Sequence, residues 1–176
     1  MDEAGLVGYC KNNNAAAQKI LYVRYAADMM LLCLRYIPQQ EDAKEALMDS
    51  FLSFFNNIGS FTYRGEGSVK AWLKKIVLNQ CLSYLRKRNP VFIAAKDEQY
   101  EDIASNESVL GHLSAKEIMQ MIHALPDGYR MVFNLYVFEG MNHKEIGDTL
   151  GITESTSKSQ LHRARALLKE KILQTG

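Results

Sequence analysis

Seven residues near the C-terminal end, Ser155, Thr156, Lys158, Ser159, Gln160, His162 and Arg163, have the side-chain types of a surface that grips a nucleic acid. Short hydroxyl and amide groups hydrogen-bond base edges at close approach, and lysine and arginine meet phosphates. No Asp or Glu interrupts residues 155–169. If Leu161 packs inward, helical spacing puts Ser157, Ala164, Leu168 and Ile172 on the same stripe. Ser155, Thr156, Ser159 and Arg163 then lie on the far side, with Lys158 and His162 flanking them on one edge and Gln160 on the other. An ordinary solvated amphipathic helix has the same periodicity and charge.

The elements that would present this face are legible in residues 142–173. Asn142 and Glu145 form a capping box, Gly151 supplies the left-handed position that stops the first helix, and Thr153 caps the second. The spacing predicts a helix-turn-helix whose second helix suits a major groove.

Residues 58–68, IGSFTYRGEGS, break every period and carry Phe61, Tyr63 and Arg64 among glycines and hydroxyls. Aromatics beside an arginine can stack on unpaired bases; they equally suit a lid folded back over the core. The Gly-Glu-Gly lacks the preceding strand and following lysine of a phosphate-cradling loop. Next comes a basic helix over residues 68–88, with Lys70, Lys74, Lys75, Arg86, Lys87 and Arg88 and no acid from 68 to 95. Lys75, Asn79, Ser83 and Arg86 share one face, while Trp72, Leu73, Ile76, Val77 and Leu85 fill the core. The aromatic loop and this helix together read as a single-strand or duplex-edge surface, although basic residues at a helix end also suit its dipole. A third set, Asp42, Glu45 and Asp49, lines the polar side of a helix over residues 40–57, opposite Ala43, Leu47, Phe51, Phe54 and Ile58. A solvated face accounts for those acids without further purpose.

The chain of 176 residues has a net charge of +1, so a uniformly basic coat is excluded and local clusters must carry any attraction to nucleic acid. Cys10, Cys33 and Cys81 lie too far apart for a CxxC pair, and with His112, His123, His143 and His162 they make no metal-ligand spacing. They read as small core residues of a reduced, cytoplasmic protein. No nucleophile elbow or HExxH occurs, so no catalytic set, cofactor or metal is expected. No apolar run reaches membrane-spanning length, and the start lacks a basic head before an apolar stretch.

In order, helices are predicted over residues 14–36, 40–57 and 68–88. An acidic stretch with Asp97, Glu98, Glu101, Asp102 and Glu107 follows. Then a helix capped by Ser114 and Glu117 reaches residue 124, another starts at Pro126 and ends before Gly140, and the helix-turn-helix completes the chain. No strand or internal repeat is found. The fold expected is all-α, with two small helical domains, 1–90 and 113–176, joined by an acidic linker, 91–112. That linker spans about 70 Å fully extended and nearer 25 Å as a coil.

These residues resemble a known family. Leu125, Pro126, Tyr129, Arg130, Val132, Phe133, Glu139, Gly140, Glu145, Ile146, Leu150 and Gly151 lead into Thr156, Lys158, Ser159 and the run 161–165, LHRAR. Earlier come Leu21, Tyr22, Arg24, Tyr25, Ala26, Glu41, Asp42, Ala43, Phe51, the Phe61 loop, and Ala71, Trp72 and Leu73. In order and spacing the chain, from about residue 12 to 173, resembles an extracytoplasmic-function sigma factor, the small two-domain type of bacterial sigma factor. The resemblance implies binding to core RNA polymerase and promoter DNA, with an anti-sigma factor as a further partner. By that likeness Asp42, Glu45 and Asp49 dock on the polymerase clamp. The loop and basic helix, with Phe61, Tyr63, Arg64, Lys70, Lys75, Asn79 and Arg86, take the upstream -10 element. Ser155, Thr156, Lys158, Ser159, Gln160, His162 and Arg163 read the -35 element, and the acidic linker threads the RNA channel.

Ser157 stands where the family usually has valine, Gln160 where it often has arginine, and Gly147 where alanine is common. A hydroxyl buried at Ser157 is expected to find a backbone carbonyl within its helix. The competing reading is a stand-alone helix-turn-helix regulator whose first domain binds a ligand or a protein.

Overall fold

The computed structural model of the chain describes residues 2–90 and 113–175. The acidic linker expected over residues 91–112 lies outside the described residues. Eight α-helices are found among those described: α1 (Glu3–Lys11), α2 (Ala15–Tyr36), α3 (Gln40–Asn57), α4 (Ser68–Arg88), α5 (Ala115–His123), α6 (Asp127–Val137), α7 (His143–Leu150) and α8 (Glu154–Thr175), with a 3-10 turn at Ile58–Ser60. No strand is present among them, as the periodicity predicts. The chain divides into two compact units, Met1–Tyr84 and Leu85–Gly176, so their boundary falls inside α4 rather than after residue 90.

In the first unit the helix ends follow from their caps. The Asn14 side chain accepts from the Ala17 amide and starts α2, and Asn13, at φ 57°, makes the sharp turn from α1. Leu6, Leu21, Cys33, Tyr36, Phe54, Leu73 and Cys81 are all buried in the core, where the three cysteines pack as unbridged thiols. Phe51 lies against Tyr22 and Phe54 against Trp72, with ring centroids 4.8 and 5.0 Å apart. These aromatics link α2, α3 and α4 by large apolar contact. The sequence reading did not include α1. It is short, contains Gly5 and Gly8, and buries only a narrow stripe of Glu3, Leu6, Val7 and Cys10.

The second unit is set by two capping boxes. Ser114 and Glu117 exchange hydrogen bonds at the start of α5, which hold the Glu117 carboxyl below its ordinary range. Asn142 and Glu145 do the same at the start of α7. Buried Arg130 closes the corner between α5 and α6: its guanidinium donates to the Leu125 carbonyl at 2.7 Å and pairs with Asp127 at 2.5 Å. Burial lowers the Arg130 pKa, and the Asp127 carboxylate opposes that shift. Gly151 ends α7 at φ 70°, with its amide bonded to the Gly147 carbonyl. The turn then brings Ile152 back so closely that a Cβ on Gly147 would lie 2.8 Å from the Ile152 carbonyl oxygen. Glycine at this position therefore lets α7 and the start of α8 approach backbone to backbone.

Candidate nucleic-acid interface

The helix α8 begins as its cap predicts, with the Thr153 hydroxyl accepting from the Thr156 amide at 3.0 Å. Its rotation differs from expectation. Thr156 and Gln160, expected on the outer face and its edge, are only 6% and 3% exposed. Thr156 instead meets the Thr153 hydroxyl at 2.9 Å. Ser157, Leu161 and Ala164 are buried as expected, but the inward face is centred between Gln160, Leu161 and Ala164 rather than on Leu161. At about 100° per residue, this turns the helix by roughly 60°. The outward row is Ser155, Lys158, His162 and Arg165, at steps of three and four. Ser155, Lys158 and Arg165 are exposed and His162 partly so.

Ser159 sits at the edge of that row, partly exposed. Arg163 turns back to donate to the Tyr129 hydroxyl at 3.0 Å. Lys158 pairs with Glu154 across one turn, at 3.1 Å between exposed groups, a contact too solvated to hold the lysine away from a phosphate. The Ser157 hydroxyl finds the His143 Nδ1 at 2.9 Å rather than the expected helix carbonyl. His143 stacks on Tyr136 at 4.9 Å, and the Arg165 guanidinium lies 5.5 Å from the centre of the same ring. Burial, followed by the nearby Lys158, lowers the His143 pKa, which favours the neutral imidazole at neutral pH.

In the first unit, Phe61 does fold back, as the lid alternative has it. It is 9% exposed and stacks on Trp72 at 4.8 Å, with the rings 19° from parallel. Beside that stack is an open depression of about 420 Å³, lined by Ser60, Phe61, Thr62, Arg64, Ser68, Ala71 and Trp72. Tyr63 is half-buried and Arg64 exposed. Gly65 and Gly67, at φ 108° and 84°, carry the turn into α4 through backbone that only glycine adopts without strain. The Ser68 hydroxyl donates to the Gly65 carbonyl at 2.6 Å.

On α4, Lys75 and Asn79 are exposed, and Lys70 forms an exposed pair with Asp28 at 2.5 Å. Arg86 falls in the second unit, where it donates to the Thr149 carbonyl. On α3, Glu45 and Asp49 are exposed and Asp42 is half-buried. Gln80 donates to Asp49 at 3.3 Å. Met48 and Leu52 are exposed on the same helix.

Comparison with known families assigns the two halves separately. The model of sigma-70 region 2 matches residues 21–91, and that of sigma-70 region 4 matches residues 115–168. The chain belongs to the sigma-70 family. It is a small sigma factor of the extracytoplasmic-function type, a transcription initiation factor and not an enzyme.

The sigma factor is 26% identical to the ECF RNA polymerase sigma-E factor of Haemophilus influenzae, over 98% of this chain and 96% of that one. It is 28% identical to the ECF RNA polymerase sigma factor SigM of Bacillus subtilis, over 85% and 91%. Its fold is like that of the sigma factor RpoE solved in complex with the anti-sigma factor NepR from Bartonella quintana. There the TM-score is 0.53 at 21% identity, covering 89% of this chain and 96% of that one. No helix among the described residues of this sigma factor is long and apolar enough to cross a membrane. Two residues of the candidate surfaces carry no clear signal in the sequence. Trp72 has the periodicity of a core residue but lines the depression, and Arg165 continues Lys158 and His162 at helical spacing.

Proposed function

We propose that this sigma factor binds core RNA polymerase in the cytoplasm and directs it to promoters through two DNA contacts. The observation that carries this reading is the outward row of α8. Ser155, Lys158, His162 and Arg165 form an acid-free strip starting at a capped helix N-terminus, within the segment matched to region 4. Small and basic side chains there suit entry into a major groove, with phosphates meeting Lys158 and Arg165. We assign this row, with Ser159 at its edge, to the -35 element.

The depression beside Phe61 and Trp72, flanked by Tyr63 and Arg64, has the apolar wall and cationic rim that hold an unstacked base. We assign it to the upstream -10 element, with Lys75 and Asn79 on α4 as the neighbouring backbone contact. The α3 face, where Glu45 and Asp49 border Met48 and Leu52, is the docking surface for polymerase. Its exposed apolar side chains gain from being covered, and its acids select a basic partner. An anti-sigma factor is expected to compete for such surfaces.

Purified protein added to bacterial core polymerase and genomic fragments tests the reading through mapped transcript starts. Promoter-specific starts absent with core alone support it. The failure of folded protein and competent core to form a complex, together with tight operator binding by the free protein, would replace it with a stand-alone regulator. The free protein is expected to bind promoter DNA weakly and with steep salt dependence, gaining specificity once polymerase tethers both contacts.

A further inference from the structure

The loop assigned to the -10 element is gripped from behind by α1, which lies before the segment matched to region 2. The Lys11 ammonium donates to the Phe61 carbonyl at 2.6 Å, joining residues 50 positions apart at the point where the chain leaves the 3-10 turn. From the other end of α1, Glu3 is only 8% exposed and accepts from the Tyr25 hydroxyl of α2. Burying a carboxylate is costly unless it is hydrogen-bonded. Here one carboxylate oxygen takes the Tyr25 hydroxyl and fastens α1 to α2, while the other is buried without a hydrogen-bond partner among the described residues. Burial and Glu3 push the Tyr25 phenol up to about 12. Desolvation, followed by the same carboxylate, also raises Tyr63.

We propose that α1 is a bracket that presets the base-binding loop, with Lys11 fixing the backbone at Phe61 and Glu3 fastening α1 to α2 behind it, both as positioning residues for -10 recognition. The loop needs such support. Between Phe61 and Ser68 its backbone is irregular, and two glycines at positive φ leave it many alternative paths. Holding it in one path before DNA arrives removes an ordering cost from each binding event. Lys11 reaches it from one end of α1 while Glu3 ties the other end to α2, so this support does not depend on the loop's own turns.

The proposal rests on the assignment of this loop to the -10 element, and its test separates the two ideas. Holoenzymes carrying Lys11→Met, Glu3→Gln, Lys11→Arg or Tyr63→Ala would be compared on promoter variants differing at single -10 or -35 positions. Templates with a preopened bubble would be included, with core affinity and melting temperature measured alongside. Lys11→Met is expected to reduce discrimination among -10 bases about fivefold, the effect of one lost hydrogen bond. Discrimination at -35 and core affinity should not change, and Lys11→Arg should recover most of the loss. Glu3→Gln should act in the same direction. Wild-type -10 discrimination in both Lys11→Met and Glu3→Gln, with discrimination lost in Tyr63→Ala, would overturn the bracket and leave the loop assignment standing. Unchanged discrimination in Tyr63→Ala would overturn the loop assignment and the bracket with it. Equal losses at -10 and -35, or weakened core binding, would show a general folding role and also overturn the bracket.

Discussion

The two proposed DNA contacts are built on opposite plans. On α8, support and contact are divided around a helix: Thr156, Ser157, Gln160 and Leu161 are buried on one side, and Ser155, Lys158 and Arg165 are exposed on the other. In the 61–67 loop they coincide, because the Phe61 ring that lines the depression also covers the Trp72 ring and the core behind it. A helix keeps its shape when a contact residue is changed. A loop whose contact residue is also its anchor does not, so function and stability are expected to separate on α8 and move together at Phe61.

The largest effect expected from that contrast is at Phe61. Phe61→Ala should cost the first unit about 3 kcal/mol of stability, as large-to-small changes of buried aromatics do, and abolish -10-dependent opening. Thermal unfolding and permanganate reactivity of promoter thymines measure the two losses, and a loss of opening without destabilisation would break the comparison. Gly147→Ala comes next. Its Cβ must displace the Ile152 carbonyl, so the second unit should lose about 2 kcal/mol. Discrimination at -35 should fall because the start of α8 moves.

A paired change sharpens the comparison on α8 itself. Arg163→Ala removes the bond to Tyr129 and should lower stability by about 1 kcal/mol, whereas Arg165→Ala gives up only an exposed contact with the Tyr136 ring and should shift it by about 0.5 kcal/mol. Only the second should reduce the slope of promoter affinity against salt, by about one counterion, with sequence preference retained. Identical behaviour of the two variants would show that the outward row is misplaced.

The smallest effect concerns acidity. The His143 pKa is lower in the folded chain than in the unfolded one, so below the unfolded value protons favour the unfolded state. The second unit should therefore lose stability as pH falls from the ordinary histidine value of about 6.5 towards the folded value, and level off below it. His143→Gln should remove that segment of the melting profile.

Most helix ends were legible because caps are local. Ser114 with Glu117, Asn142 with Glu145, and Gly151 all act within a turn of their own position, and the structure places each where its chemistry predicts. The rotation of α8 was not legible because its inward face is polar. Thr156, Ser157 and Gln160 are covered through the close approach at Gly147 and through partners such as His143, and a stripe sought by apolarity alone finds only Leu161 and its neighbours. The role of α1 was hidden for a different reason. Its contacts with Phe61 and Tyr25 join distant positions, and nothing in a short run with two glycines marks Lys11 or Glu3 as supports.

The Phe61 and Trp72 stack also has an optical consequence. Trp72 is the chain's one tryptophan, so the indole emission of the isolated protein comes entirely from a ring that borders the depression. A base settling there would quench or shift that emission, while duplex DNA held only by α8 would leave it unchanged. On the proposed assignment, Trp72 would serve as a built-in fluorescent indicator of -10 strand capture, readable by titration with short single-stranded oligonucleotides before any polymerase is added.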